Sequence, residues 1–293
     1  MNQNALESRD WRPLAAALVS VTLWSSAFVG IRAATRTIPP GALALGRLMI
    51  GSVLLGLLLW RRGALRPTRR DVGLLLIAGL LWFGFYNVAL NTSERVVDAG
   101  TAAMVVNIAP LMVMALAALF LRERLTSGLL AGGAVAFAGV IVIGLATMSG
   151  NAPLWGVLLS VLATAASAGG VVAQKPVLAR LSALQVTCTC CVIGALCCLP
   201  YAPSLMRAVR TAPPVDLVWM AYLGVFPTSV AFTTWAYALA RGTASRLAAT
   251  AYLVPPITIV MSWLILGEVP RAVAILGGAL CVAGVVLARR WPS

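Results

Sequence analysis

The chain has 293 residues, of which 61% are hydrophobic and 10% are charged, and its formal net charge is +14. Soluble domains carry about 25% charged residues, so the composition excludes a soluble globular fold. The long uncharged stretches instead predict an all-α polytopic membrane protein. A membrane β-barrel is also excluded, because it would show alternating segments of about ten residues, and the sequence has none.

Ten apolar stretches are long enough to cross a bilayer as helices. The first exceeds the ~7–15-residue core of a secretory signal, so we expect it to be retained as a helix. A short polar segment, Asn151 to Pro153, follows the fifth stretch and divides the chain into two five-helix domains, residues 13–146 and 153–289. The predicted spans are 13–33, 42–60, 72–91, 98–121, 126–146, 154–173, 183–199, 216–239, 245–266 and 271–288.

The sequence contains an internal duplication with an offset of 145 residues. Twelve identities align the fourth and fifth spans with the ninth and tenth without a gap. Pro110 and Glu123 are 13 residues apart, and so are Pro255 and Glu268. The co-occurrence of a proline within a span and a carboxylate at its exit, at one spacing in both halves, indicates a repeat rather than general hydrophobicity.

Positive charge is distributed unequally between the two sides of the predicted membrane protein. With the N-terminus in the cytoplasm, cytoplasmic segments hold 15 of the 22 lysine and arginine residues, and the opposite side holds 6. The positive-inside rule therefore predicts that both termini are cytoplasmic and that the basic loops contact anionic lipids. Nucleic-acid binding is disfavoured, because the charges lie on loops between spans rather than on one face.

The number of spans determines how the two repeats are oriented. Each half has five predicted spans, so the second half enters the membrane from the opposite side. The repeats are then inverted relative to each other. Transporters use inverted repeats to bind a substrate between the two halves near the middle of the bilayer.

Further motifs accompany the duplication. The first span contains Trp24-Ser25-Ser26-Ala27-Phe28, the second contains Arg47, and a glycine-rich helix follows each proline–glutamate pair. Together these motifs resemble the drug/metabolite transporter superfamily, in particular its ten-helix EamA-type exporters, with Ser25 where that family usually has glycine. The resemblance implies a bacterial inner-membrane protein that exports small metabolites by alternating access. The aromatic amino-acid exporters are the most similar subgroup, which implies amino acids with aromatic or other apolar side chains as substrates.

Polar and aromatic residues within the spans are candidates for the wall of a substrate cavity. A side-chain amide at membrane depth needs a partner in the protein, in water or in the substrate. For each residue alone, helix packing or anchoring at the membrane interface is the alternative interpretation. The candidates are Trp24, Trp82, Tyr86, Asn87, Asn107, Trp235 and Tyr252.

Prolines and charges within the spans have two interpretations each. Pro110 and the pair Pro255–Pro256 remove backbone donors inside a span, which predicts matched kinks that act either as hinges or as static bends. Arg47 is a functional candidate, although a structural role as a helix cap or a side chain reaching the membrane surface is the favoured reading. Glu123 and Glu268 are expected to pair with neighbouring arginines at the water boundary rather than to relay protons.

The remaining residues favour an exporter over other membrane proteins. The chain has no histidine, no acidic residue in the middle of a predicted span and no phosphate-binding loop, which favours facilitated export or coupling through an unrecognised group. The cysteines are expected to pack rather than to bind a metal, and no cofactor is predicted. No reactive cluster indicates a membrane enzyme. Export of other amphipathic metabolites or drugs, and a channel-like module, remain the alternatives; the sequence carries no signal for an oligomeric state.

Overall fold

The computed structural model describes residues 11–60, 67–97, 105–147, 153–266 and 272–290, and these residues form helices without a β-strand. Ala251–Leu253 form a short 3-10 segment between two α-helical segments. Glu268 lies outside the described residues. The helices in chain order are α1 (Arg12–Ala34), α2 (Pro40–Trp60), α3 (Arg69–Ser93), α4 (Ala109–Leu121), α5 (Ser127–Thr147), α6 (Leu154–Val177), α7 (Ala183–Cys197), α8 (Ala202–Thr211), α9 (Pro214–Arg241), α10 (Ala244–Thr250), α11 (Val254–Leu266) and α12 (Ala272–Arg290).

Seven helical segments of the described chain are long and apolar enough to cross a bilayer. They include the continuous segment from α10 into α11, which spans Ala244–Met261. Together α7 and α8 form an eighth candidate span, bent by 54° at the break between them. Both α4 and α12 are shorter apolar helices. These features confirm the prediction of an all-helical polytopic membrane protein.

Two π-helical turns lie at corresponding positions of α3 and α9. They cover Gly79–Phe85 and Gly224–Val230, and their starting glycines are 145 residues apart. Glycines of neighbouring helices allow close packing against them. A Cβ atom on Gly194 of α7 would lie 2.6 Å from a side-chain atom of the first π turn, and one on Gly51 of α2 would lie 3.1 Å from a side-chain atom of the second. Because π-helical turns often occur at functional sites, this pair marks the middle of both helices for attention.

Backbone contact without intervening side chains joins α5 and α12. A Cβ atom on Gly132 would lie 2.6 Å from the carbonyl oxygen of Gly284, and one on Gly139 would lie 2.5 Å from the carbonyl oxygen of Gly277. The earlier glycine of each helix thus faces the later glycine of the other, so the two helices run antiparallel. Small residues allow membrane helices to approach this closely.

The contact between α5 and α12 is centred on a pair of repeat-equivalent residues. Ala136 and Cys281 are 145 residues apart, and the Cys281 thiol donates a hydrogen bond to the Ala136 carbonyl oxygen at 3.4 Å. Both side chains are buried. Helices α5 and α12 therefore pack on each other through positions that the 145-residue offset makes equivalent.

Gly284→Val is expected to destabilise the protein. A side chain at this position would overlap the backbone nitrogen of Ala136, which lies 2.4 Å from an ideal Cβ atom. Overpacking of this kind costs about 1–3 kcal/mol or more of unfolding free energy. Thermal unfolding of the detergent-solubilised protein measures the effect. Gly56→Val is the matched control, because no atom lies within 4 Å of its Cβ position; equal melting temperatures for the two variants would contradict the close contact.

Candidate functional site

A cavity of about 130 Å³ lies between helices of both predicted domains. Its wall combines residues of α1, α2, α3 and α4 with residues of α6, α9, α10 and α11. On the same volume scale, a cavity needs about 10–15 Å³ to hold one water molecule. The space therefore suffices for roughly ten waters or a solute of amino-acid size. The cavity is mainly apolar, as is usual for small-molecule sites.

The structure brings most of the candidate residues from the sequence together in this wall. They come from different spans of both repeats, so no single helix forms the site. Tyr252 is the exception and lies elsewhere. The six that line the cavity are Trp24, Trp82, Tyr86, Asn87, Asn107 and Trp235.

Aromatic rings from α1, α3 and α9 form one continuous part of the wall. The ring centroid of Trp24 lies 4.8 Å from that of Trp235, 5.5 Å from that of Phe232 and 6.0 Å from that of Trp82. The Trp82 and Phe232 centroids are 4.8 Å apart. These distances are in the range of favourable edge-to-face and offset ring contacts. The cluster gives the cavity a rigid surface suited to an apolar or aromatic group.

Phe232 was missed by the sequence analysis, although a signal for it existed. It is buried, lines the cavity and contacts the Trp24 and Trp82 rings. Its number is 145 higher than that of Asn87, so it is the repeat equivalent of a candidate that was identified. Applying the offset to each candidate would have revealed it.

The polar groups of the wall differ in how well they are satisfied. The Asn87 amide donates to the carbonyl oxygens of Trp82 at 3.2 Å and Phe83 at 2.8 Å, and so satisfies carbonyls of the first π turn. The indole N–H of Trp235 is buried and has no hydrogen-bond partner. Buried polar groups are normally paired, so this N–H is an exception among the described side chains of the wall.

The helix carrying each candidate hinge proline is interrupted just before the proline. In the first repeat Asn107 and Ile108 form a turn and α4 begins at Ala109; in the second repeat the 3-10 segment precedes α11. The structure therefore corrects the expected mid-helix position: the prolines occupy the first turn of a new helical segment. At that position the missing N–H breaks no hydrogen bond.

The break in the second repeat contacts α1. Ser25 is fully buried, and its hydroxyl donates to the carbonyl oxygen of Val254 at 3.2 Å. Pro110 and Val254 line the cavity, so both interrupted helices meet the space between the repeats. The hydroxyl of Ser25 thus connects α1 to the start of α11.

Tyr252 packs away from the cavity, although it is the repeat equivalent of Asn107. Its side chain is fully buried in a cluster with residues of α5 and α12, including Val140 and Val285. Its hydroxyl has no hydrogen-bond partner. Because it turns towards the α5–α12 pair, equivalent positions of the two repeats have different surroundings here.

The two described charges that were expected to be structural have specific partners. Arg47 lines the cavity and is 4% exposed, so its side chain does not reach the membrane surface.

Glu123 does not pair with its neighbours Arg122 and Arg124, which corrects the expectation of an ion pair. Its carboxylate instead accepts hydrogen bonds from the N–H groups of Ala244 at 2.7 Å and Ser245 at 3.0 Å, at the N-terminus of α10. The positive end of a helix dipole favours such a carboxylate.

Comparison with known proteins identifies the family. The model of the EamA-like transporter family matches residues 11–145 and again residues 154–290. The chain belongs to the EamA-like transporter family. It is therefore a membrane transporter, and the cavity between its repeats is the candidate substrate site.

Relatives of this EamA-like transporter include named exporters. A "Probable terminal-alkyne amino-acid exporter" of Streptantibioticus cattleyicolor is 38% identical over 276 residues, covering 94% of this chain and 92% of the relative. A "Probable amino-acid metabolite efflux pump" of Salmonella typhimurium is 24% identical over 284 residues, covering 92% of this chain and 92% of the relative. A crystal structure of a protein with 20% identity has a TM-score of 0.76 and covers 94% of this chain and 96% of its own, which shows a shared fold.

Trp24→Ala and Tyr86→Ala are each expected to reduce transport efficiency (kcat/KM) by about tenfold, because each removes an apolar contact surface from the cavity wall. Uptake of labelled solute into proteoliposomes measures the effect. Trp11→Ala is the matched control, because Trp11 is 70% exposed near the chain terminus and is expected to change transport less than twofold. Equal losses in all three variants would refute the assignment of the cavity.

Proposed function

We propose that this EamA-like transporter exports amino acids with aromatic or other apolar side chains by alternating access between two inverted five-helix repeats, residues 13–146 and 153–289. The observation that carries the proposal is the aromatic cavity between segments of both repeats. Its volume suits a solute of amino-acid size, and its ring cluster suits an apolar side chain.

The antiparallel packing of α5 and α12 supports the inverted arrangement. Equivalent spans that cross the membrane in opposite directions place the two repeats upside down relative to each other. The described spans also agree with ten in total when the bent α7–α8 pair and the shorter α4 and α12 are each counted as one. Inverted repeats allow one mechanism to open the cavity to either side.

The distribution of charge supports an orientation with both termini in the cytoplasm of the bacterial inner membrane. The predicted cytoplasmic segments hold 15 of 22 lysine and arginine residues. These loops are placed to contact anionic lipid head groups.

Polar contacts at the predicted cytoplasmic end support a conformation that is closed on that side. Glu123 holds the N-terminus of α10, and the Lys175 ammonium donates to the Leu239 carbonyl oxygen at 2.6 Å. The carboxylate of Asp71 pairs with Arg180 at the same end. The cavity instead extends along the C-terminal halves of α1 and α3, towards the opposite side. Export would then require these contacts to open when the cavity turns towards the cytoplasm.

The names of two relatives and the cavity chemistry support the same substrate class. Both named relatives are described as exporting amino acids or their metabolites. Aromatic rings with few hydrogen-bonding groups favour an amphipathic solute with an apolar side chain over a strongly hydrophilic one. Other amphipathic metabolites fit the same description and are tested alongside.

Counterflow in proteoliposomes tests the proposal. Vesicles loaded with unlabelled phenylalanine, tryptophan, methionine or threonine are expected to accelerate the saturable uptake of the labelled amino acid at least several-fold over protein-free vesicles. A carrier shows this acceleration because the loaded site returns faster than the empty one, whereas a channel does not. Glutamate serves as the hydrophilic control.

Background transport of all the apolar and aromatic amino acids would overturn the substrate assignment. Uptake without acceleration by the opposite pool would instead favour a channel-like module. Repeating the assay with an imposed proton gradient distinguishes facilitated from proton-coupled export, since only the coupled process accumulates substrate against its own gradient.

A further inference from the structure

Arg47 is the charged side chain in the described wall of the cavity. It lies in the first half of α2 and is 4% exposed. A buried guanidinium in an apolar environment is strongly unfavourable unless a partner compensates its charge. An intramembrane charge of this kind therefore needs a specific partner.

The described protein supplies Arg47 with only part of this compensation. Its Nε atom donates to the Thr228 hydroxyl oxygen at 2.9 Å. Within the described ranges no carboxylate oxygen lies within 4.0 Å of it, so the Glu94 carboxylate acts on it only electrostatically from a greater distance, and Nε–Thr228 is its one hydrogen bond. The two terminal amino groups of the guanidinium, which are its best donors for a planar anion, are thus left for a solute in the cavity.

The position of this side chain is fixed by tight packing. The second π turn, Gly224–Val230, carries Thr228 and lies against α2. A Cβ atom on Gly224 would lie 3.0 Å from the Arg47 carbonyl oxygen, and one on Gly51 would lie 3.1 Å from Thr228 Cγ2. The backbone near Arg47 therefore has little freedom, and the bond to Thr228 orients the guanidinium.

The geometry points to Arg47 as the residue that binds the carboxylate of the transported amino acid, with Thr228 as its positioning residue. This inference rests on the proposed function. The terminal amino groups of Arg47 donate to the two carboxylate oxygens, while the ring cluster of Trp24, Trp82 and Phe232 contacts the apolar side chain. Arg47 belongs to the first repeat and Thr228 to the second, so the bound carboxylate lies where the two repeats meet.

The test compares phenylalanine with phenylalaninamide, which keeps the ring and the amino group but replaces the carboxylate with an uncharged amide. The wild-type transporter is expected to favour phenylalanine in KM by roughly 10–100-fold, the range for a charge-assisted hydrogen-bonded pair. In Arg47→Gln this ratio should fall to near one, because phenylalanine loses affinity and the amide does not. Thr228→Val should lower the ratio to an intermediate value.

Arg36→Gln is the matched control, since it removes one positive charge at an exposed position between α1 and α2 and should leave the ratio unchanged. Saturable transport of the amide by Arg47→Gln shows that this variant is folded. If Arg47→Gln does not fold, Arg47→Lys provides the test. The single ammonium group should raise the KM for phenylalanine several-fold and leave the KM for phenylalaninamide unchanged.

The outcomes separate the two proposals. No transport of either solute by the wild-type protein contradicts the proposed function itself. Transport by the wild type with the same preference in Arg47→Gln, or unchanged KM values in Arg47→Lys, overturns the role of Arg47 while leaving the proposed function intact.

Discussion

Direct backbone contact between α5 and α12 is the constraint on which the arrangement of the repeats depends. Lipid offers no hydrophobic driving force between helices, so their association relies on close packing. Gly132 and Gly139 of one helix meet Gly284 and Gly277 of the other without room for a Cβ atom. In this contact α5 and α12 run in opposite directions. The remaining spans of each repeat are then free to enclose a space between them, and that space is where the functional residues meet.

The cavity combines two chemical requirements that are difficult to satisfy together in a membrane. Aromatic rings from three helices supply an apolar surface, and their contacts hold the rings rigidly. Arg47 places a charge beside this surface, with one hydrogen bond to Thr228. The π turns and the interrupted helices contribute the irregular backbone that such a site needs, since irregular backbone at membrane depth is tolerated only where it is buried or lines a cavity.

Much of this organisation was predictable from the sequence, and the failures have physical reasons. The offset of 145 residues and the positions of tryptophan, tyrosine and asparagine identified most of the polar and aromatic wall, because such residues are costly in lipid unless they have a use. Tyr252 was expected with them as a polar aromatic residue within a span, but its side chain packs towards Val285 instead, because the helices around it differ from those around Asn107. Glu123 was expected to pair with nearby arginines because charged neighbours can be read from the sequence. Its actual partner, the N-terminus of α10, comes close only through folding and could not be predicted in this way. The π turns gave no signal, since they depend on packing between helices.

Labelling of single cysteines in intact cells or right-side-out vesicles tests the inverted arrangement most directly. Arg124 and Arg271 come shortly after the repeat-equivalent residues Glu123 and Glu268, and each is replaced by cysteine in a separate variant. Both variants also carry Cys197→Ser, because Cys197 is exposed. The protein with Cys197→Ser alone serves as the blank. With a membrane-impermeant thiol reagent added outside, Arg271→Cys should be labelled, and Arg124→Cys should react only after the membrane is permeabilised. Labelling of both cysteines from the same side of the intact membrane would contradict inverted repeats and the alternating-access mechanism that depends on them.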